Sequence, residues 1–210
     1  MRLLLIVALT IGAMSLLSQL SEATHRLNLQ IGPIIIGSPG RKPPISPPAT
    51  PTSSTLKIGF YKGSCPNQNV DVEAIITTKV QEEFQKDPTI LPALLRMQFH
   101  DCFVHGCDAS ILIAGSSSER TAGPNFSVRG YDLIDTLKDV AETACPDVVS
   151  CADIIAIATK EGGGPRYLVQ TGRRDGLISK AQDVNLPSPS ASVSQIISAF
   201  GAKSFKPEEM

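Results

Sequence analysis

The sequence predicts a mainly α-helical domain, entered through a secretory leader and a proline-rich arm. Three observations carry this reading. Apolar residues recur at three- and four-residue spacings in a series of separate stretches, the sign of helices that each bury one face. Proline and glycine clusters fall between those stretches, where helices stop. Only one short piece, 166–171, reads as extended, and no internal repeat is found.

The chain has 210 residues, the size of a single ordinary domain. Its 19 Lys and Arg nearly balance 20 Asp and Glu, so no basic stripe or acidic tail points to nucleic acid or another polyanion. Hydrophobic residues make up 42%, enough for a packed core, while the absence of Trp argues against a module that stacks sugars.

Met1-Arg2 supplies a positive start, Leu3 to Leu17 is almost wholly apolar, and Ser21 and Ala23 are small residues at a cleavage position. This is the layout of a secretory signal, residues 1–23, cut after Ala23. The rival, a membrane anchor, fails because the apolar run is shorter than the roughly 20 residues of a spanning helix. All five cysteines, at 65, 102, 107, 145 and 151, lie beyond the signal, so an oxidising compartment would pair four and leave one over.

Residues 24–55 carry Pro33, Pro39, Pro43, Pro44, Pro47, Pro48 and Pro51, which no regular element accommodates. They read as an extended spacer, with His25 solvated in it. The folded domain is placed at 56–210. Val72, Ile75, Ile76, Val80 and Phe84 line one face of a helix over 69–85, which Pro88 stops. A second helix is expected over 89–103, with Pro92 tolerated in its first turn. Residues 115–125 read as loop, and 129–144 as a third helix. Ser150 is a candidate N-cap for a fourth over 151–160, ended by Gly162-Gly163-Gly164-Pro165. A last amphipathic helix is expected over 191–201.

The chemistry concentrates in Leu94-Leu95-Arg96-Met97-Gln98-Phe99-His100-Asp101-Cys102-Phe103-Val104-His105-Gly106-Cys107-Asp108-Ala109-Ser110. Arg96 and His100 are four apart and share a helical face, with Phe99 beside them. An imidazole there can take a proton from one peroxide oxygen and return it to the other. A guanidinium can stabilise the charge that builds as the bond breaks. Without further context, a solvated surface pair would explain the same spacing. Asp101 opens a run of oxygen donors, the Val104 and Gly106 carbonyls, Asp108 and Ser110, which suits Ca²⁺ although the spacing is not that of an EF-hand; alone, such a run is more often a solvated loop. Cys102 as a nucleophile is disfavoured, because His100 two residues away points elsewhere and Cys107 is near enough to bridge it. His105 is placed on an exposed turn.

Arg96 to Ser110 resembles the distal signature of class III secretory plant peroxidases. The resemblance continues through Tyr61 to Pro66, Glu119 to Asn125, Arg129-Gly130-Tyr131, Ala144-Cys145-Pro146, Val149 to Asp153 and Thr171 to Asp175, in the family's order, over about 56–210. It implies the plant-type haem peroxidase fold, here the distal half and the start of the proximal half. It also implies haem b and Ca²⁺ as cofactors and a monomer secreted to the cell wall or vacuole. The chain would reduce hydrogen peroxide, oxidise small phenolic donors, and serve H₂O₂ catabolism and the response to oxidative stress.

By the same resemblance His100 is the acid–base catalyst, Arg96 the transition-state stabiliser, and Phe99 a shield for the haem edge. Asn125 accepts from His100 Nδ1–H and leaves Nε2 as the base. Asp101, Val104, Gly106, Asp108 and Ser110 bind the distal calcium, and Glu119 supports that site through water and links it to Asn125. Pro187 lines the donor channel. The disulfides are Cys65–Cys145 and Cys102–Cys107. Asn125-Phe126-Ser127 is formally an N-glycosylation sequon, but an Asn125 that orients His100 is buried and carries no glycan.

Two departures temper the expected activity. Lys160-Glu161 runs straight into Gly162, a few residues sooner than in the family, which shortens a pocket wall. The sequence also stops at Met210, before the family's Gly-Gly-His-Thr segment with the histidine that ligates iron, and no histidine follows His105. The segment that would pair with Cys151, the second calcium site and the cover of the haem cleft lie beyond that point. A product of 210 residues is expected to turn over little, and a non-catalytic, secreted, calcium-binding remnant is the alternative; a chain prolonged past Met210 is expected to be a peroxidase.

Overall fold

A computed structural model describes residues 56–161 and 167–210, all within one unit of the chain, Pro51–Met210. The leader (1–23), the proline-rich arm (24–55) with His25, and the stop at Gly162 to Pro165 lie outside the described residues. The predicted class holds: the described fold is mainly α. It comprises helices α1 (Val72–Lys86), α2 (Ile90–Cys102), α3 (Tyr131–Ala144), α4 (Cys151–Lys160) and α5 (Val193–Gly201), with strands β1 (Lys57–Ile58) and β2 (Gln170–Thr171). The strands pair antiparallel, Lys57 with Thr171 and Ile58 with Gln170, so the extended piece read at 166–171 reduces to two residues.

Helices α1 to α4 pack into one core. Ile76 and Val80 of α1, Leu94 and Met97 of α2, Ile134 and Leu137 of α3, and Ile154 and Ile155 of α4 are all essentially sealed from water. Each fully buried aliphatic side chain contributes about 1.5–3 kcal/mol. For α1 and α3 these lie on the faces that the three- and four-residue spacings single out.

Helix starts follow local chemistry that the spacing alone blurs. Helix α1 begins at Val72, not 69, because the Asp71 side chain accepts the Ala74 N–H at 3.0 Å. Helix α3 begins at Tyr131, not 129, because Gly130 takes a left-handed φ of +103°. A Cβ there would find only ordinary contacts with Leu94, Ile90 and Met97, so it is the backbone angle that calls for glycine. Ser150 caps α4 as expected, its hydroxyl accepting from Asp153 N–H at 3.2 Å. Ser192 and Gln195 form a reciprocal cap that starts α5 two residues later than predicted.

Helix α5 differs from expectation in a second way. Its amphipathic pattern predicts a buried face, yet none of its residues is buried and Val193 and Ile197 stand exposed. Its anchor is Phe200, whose ring stacks on Phe99 and meets Phe103 edge-on, with centroids 6.2 and 5.0 Å away. Cys65–Cys145 ties the segment before α1 to the end of α3, and Cys102–Cys107 closes the turn after α2. No helix among the described residues is long and apolar enough to cross a membrane.

Candidate active site on helix α2

Helix α2 is backed by α4, and buried Thr159 reinforces the contact by donating to the Leu94 carbonyl at 3.2 Å. Leu94 and Met97 point inward, so helical geometry turns Leu95, Arg96 and Phe99 to the open side, with Leu95 57% exposed. His100 sits at the edge of this face, only 6% exposed.

The histidine is held at both ring nitrogens. Nδ1–H donates to Asn125 Oδ1 at 2.6 Å, and Nε2 accepts Arg96 Nε–H at 3.2 Å. Asn125, itself buried, is oriented in turn by donating Nδ2–H to the Glu119 carbonyl at 2.8 Å. With both amide atoms engaged in the interior, the sequon offers no acceptor for a glycan in the folded chain. Burial holds the His100 imidazole below its ordinary pKa; the bond to Asn125 opposes this and the positive charge of Arg96 adds to it. The arrangement is a neutral imidazole with its basic nitrogen aimed at a guanidinium on an open surface.

The turn after α2 gathers the proposed oxygen donors. Ala109 has a left-handed φ of +60°, which swings its N–H onto Asp101 Oδ2 at 3.0 Å, while Ile111 N–H reaches Oδ1 at 3.3 Å. Burial nevertheless pushes the Asp101 carboxyl up to about 7; those two N–H groups oppose the shift, and the charges of Asp108 and Glu119 reinforce it. Burial also raises Glu119, whose two carboxyl oxygens, like Ser110 Oγ, have no hydrogen-bond partner among the described residues. Ser110 eases that shift without reaching hydrogen-bond geometry.

Orphaned, buried, acidic oxygens are what a hard cation would satisfy. Among the described residues no three of His, Cys, Asp and Glu converge as an ion cage, so a cation here would draw on the Val104 and Gly106 carbonyls as well. Val104 O accepts Lys203 Nζ–H at 2.8 Å, a contact that nothing in the local sequence announces.

The remaining candidates fall as follows. His105 is exposed, as expected, and paired with Asp183 at 2.9 Å. Pro187 is half-buried in the extended run before α5. Both disulfides that the resemblance implies are present, and Cys151 is the free thiol among the described residues. Burial, with Asp175 adding to it, pushes that thiol up to about 11, which makes it a poor nucleophile.

Sequence reasoning missed the partners of Arg96. Its Nη1 donates to the Ser127 carbonyl at 3.2 Å, and its Nη2 to the Pro124 carbonyl at 3.1 Å and to Ser127 Oγ at 2.9 Å. These lie about thirty residues along the chain, where no periodicity could flag them.

The family model for peroxidases matches residues 76–210. Among known plant proteins, Peroxidase 57 of Arabidopsis thaliana is 53% identical over 152 residues, covering 70% of this chain and 47% of its own length. Peroxidase 28 and Peroxidase 44 of the same plant are 52% and 51% identical, over 70% and 74% of this chain and 48% and 51% of theirs. The chain thus spans about half the length of the curated relatives it matches. With the family match covering most of the sequence, this chain belongs to the peroxidase family, of the class III plant type.

Proposed function

We propose that the chain provides the peroxide-cleaving face of a secreted haem peroxidase that reduces hydrogen peroxide and oxidises phenolic donors. One observation carries the reading: Asn125 takes the Nδ1 proton of His100 at 2.6 Å, which leaves Nε2 as a proton acceptor beside Arg96 on an open face.

The family implies haem. The open side of α2, with exposed Leu95 and Arg96 and half-buried Phe99, is where one face of a planar group would rest. Arg96, Phe99 and His100 are the residues of this face that would lie against it. Haem b, when bound, supplies the redox couple; the residues here manage protons and charge.

His100 Nε2 would take a proton from one peroxide oxygen and give it to the other, which leaves as water, while haem, when bound, would supply two electrons. The Arg96 guanidinium holds the negative charge that develops on that departing oxygen. The second oxygen becomes water with the electrons and protons that the donors return. The two electrons consumed per peroxide are returned by two phenols, each losing one electron and one proton, and Pro187 borders their approach. Asp101, Val104 O, Gly106 O, Asp108 and Ser110 would hold Ca²⁺, with Glu119 supporting them, and so fix the turn next to His100.

In this reading residues 1–23 direct secretion, 24–55 form a spacer and 56–210 the catalytic domain. The protein acts as a monomer in the wall or vacuole, in peroxide catabolism and the response to oxidative stress. Stopped-flow mixing of the whole, haem-loaded secreted protein with H₂O₂ tests it. His100→Leu is expected to slow the peroxide step by about 10²–10⁴, and Arg96→Leu by about 10²–10³. Failure to take up haem, or variants as fast as the parent, overturns the proposal.

A further inference from the structure

The turn from Pro124 to Ser127 touches both groups that the peroxide chemistry needs. Its Asn125 side chain takes the His100 Nδ1 proton. Its Pro124 and Ser127 carbonyls and the Ser127 hydroxyl take three N–H bonds from Arg96. The turn is braced by its own main chain, with Asn125 N–H on the Ala122 carbonyl at 2.8 Å and Val128 N–H on the Asn125 carbonyl at 3.0 Å. One small unit thereby sets the distance between guanidinium and imidazole, which meet at 3.2 Å.

Arg96 needs such an anchor. It is exposed, and a free arginine side chain carries about 2 kcal/mol of rotamer entropy. A guanidinium has five N–H donors in a fixed fork, and here one points at His100 while the outer pair grips the turn. Two of the three anchoring acceptors are carbonyls, which are fixed by the backbone. The Ser127 hydroxyl is the one side chain in the anchor and makes its shortest bond, 2.9 Å. Phe126 between the two is 75% exposed and takes no part. Ser127 is also the third position of the sequon, so its hydroxyl has a partner inside the protein and not a glycosylation role.

We propose that Ser127 is a positioning residue: its hydroxyl, with the Pro124 and Ser127 carbonyls, locks the Arg96 guanidinium against His100 Nε2 on the face where peroxide is cleaved. Ser127 acts through Arg96 and does not touch the substrate. The catalytic consequence rests on the peroxidase reading, whereas the locking itself does not.

The test separates the two. In the full chain labelled with ¹⁵N-arginine, with the Arg96 signal assigned by its loss in Arg96→Lys, the Nε–H proton of Arg96 is expected to exchange slowly with solvent in the parent. Ser127→Ala should speed that exchange about fivefold, the worth of one ordinary hydrogen bond on an exposed side chain. Ser127→Thr, which keeps the hydroxyl, should restore it. In the haem-loaded protein Ser127→Ala should slow the peroxide step by a similar factor, leaving phenol oxidation and Tm unchanged, with Ser127→Thr near the parent.

Ser127 faces solvent, so neither substitution threatens folding. Unchanged Arg96 exchange in Ser127→Ala overturns the proposal, as does equal damage from Ala and Thr accompanied by a fall in Tm. If Arg96→Leu leaves the peroxide step intact, the peroxidase reading fails, and the exchange measurement still decides whether Ser127 holds Arg96.

Discussion

Replacing Asp153 by Asn is expected to destabilise the domain more than any other single charge-to-amide change in it. Asp153 is fully buried on α4 and accepts four hydrogen bonds from two separate parts of the chain. Oδ2 takes Tyr61 O–H at 2.6 Å, Gly172 N–H at 2.6 Å and Arg173 N–H at 3.0 Å, while Oδ1 takes Arg173 Nη1–H at 2.9 Å. The carboxylate thus fastens the segments that carry β1 and β2 onto the helix that backs α2. An amide can keep one oxygen in place, but its NH₂ then meets donors on the other side. Arg173, whose side chain is only 20% exposed, loses its counter-charge.

Breaking one partner of a buried pair costs about 3–5 kcal/mol. For a domain of this size each kcal/mol lowers Tm by about 2–4 °C, so the fall should be roughly 12 °C. Tyr61→Phe removes one donor to the same carboxylate and should cost about 2 kcal/mol. Because both changes strike one bond, the double variant should lose less than the sum of the two. Thermal unfolding followed by circular dichroism in oxidising buffer measures all three. An Asp153→Asn variant within about 1 kcal/mol of the parent, or strictly additive losses, would refute the reasoning that one shared carboxylate holds these segments.

Three further outcomes follow from the site. Burial, against the bond to Asn125 but helped by Arg96, keeps His100 below its ordinary value of 6.5, so the base stays neutral in mild acid. The acid limb of the peroxide step should therefore fall below pH 6.5, and any stability tied to neutral His100, complete above that pH, should be lost as pH drops further; a limb at or above 6.5 contradicts this. With its thiol pushed up to about 11, Cys151 should be about one part in a thousand thiolate near pH 8, so a thiol reagent should label it slowly in the folded chain and promptly in denaturant. Equal rates would show an accessible, unperturbed thiol. Chelation should lower Tm and added Ca²⁺ restore it, the bound ion stabilising the fold by about 2.7 kcal/mol at a hundredfold excess over Kd, with the effect absent in Asp108→Ala; a Tm indifferent to chelator argues against a cation among Asp101, Asp108 and Ser110.

Much of this molecule is written locally. The helical faces of α1 and α3 and the shared face of Arg96 and His100 follow from spacings of three and four residues, because a helix repeats its environment at that interval whatever surrounds it, and the Ser150 cap follows from its residue type. The extra residues predicted at the starts of α1, α3 and α5 were lost to caps and to Gly130, whose effects also are local but do not show in apolar periodicity. The resemblance names Asn125 as the partner of His100, 25 residues away, but only the tertiary structure could decide what holds Arg96. Ser127 lies 31 residues from Arg96, and Lys203 reaches Val104 across 99. Such contacts depend on how loops close over the core, which a linear pattern does not encode. The same holds for α5, whose amphipathic sequence promises burial but whose exposure is set by which neighbours stand beside it; there, only Phe200 finds an aromatic surface to rest on.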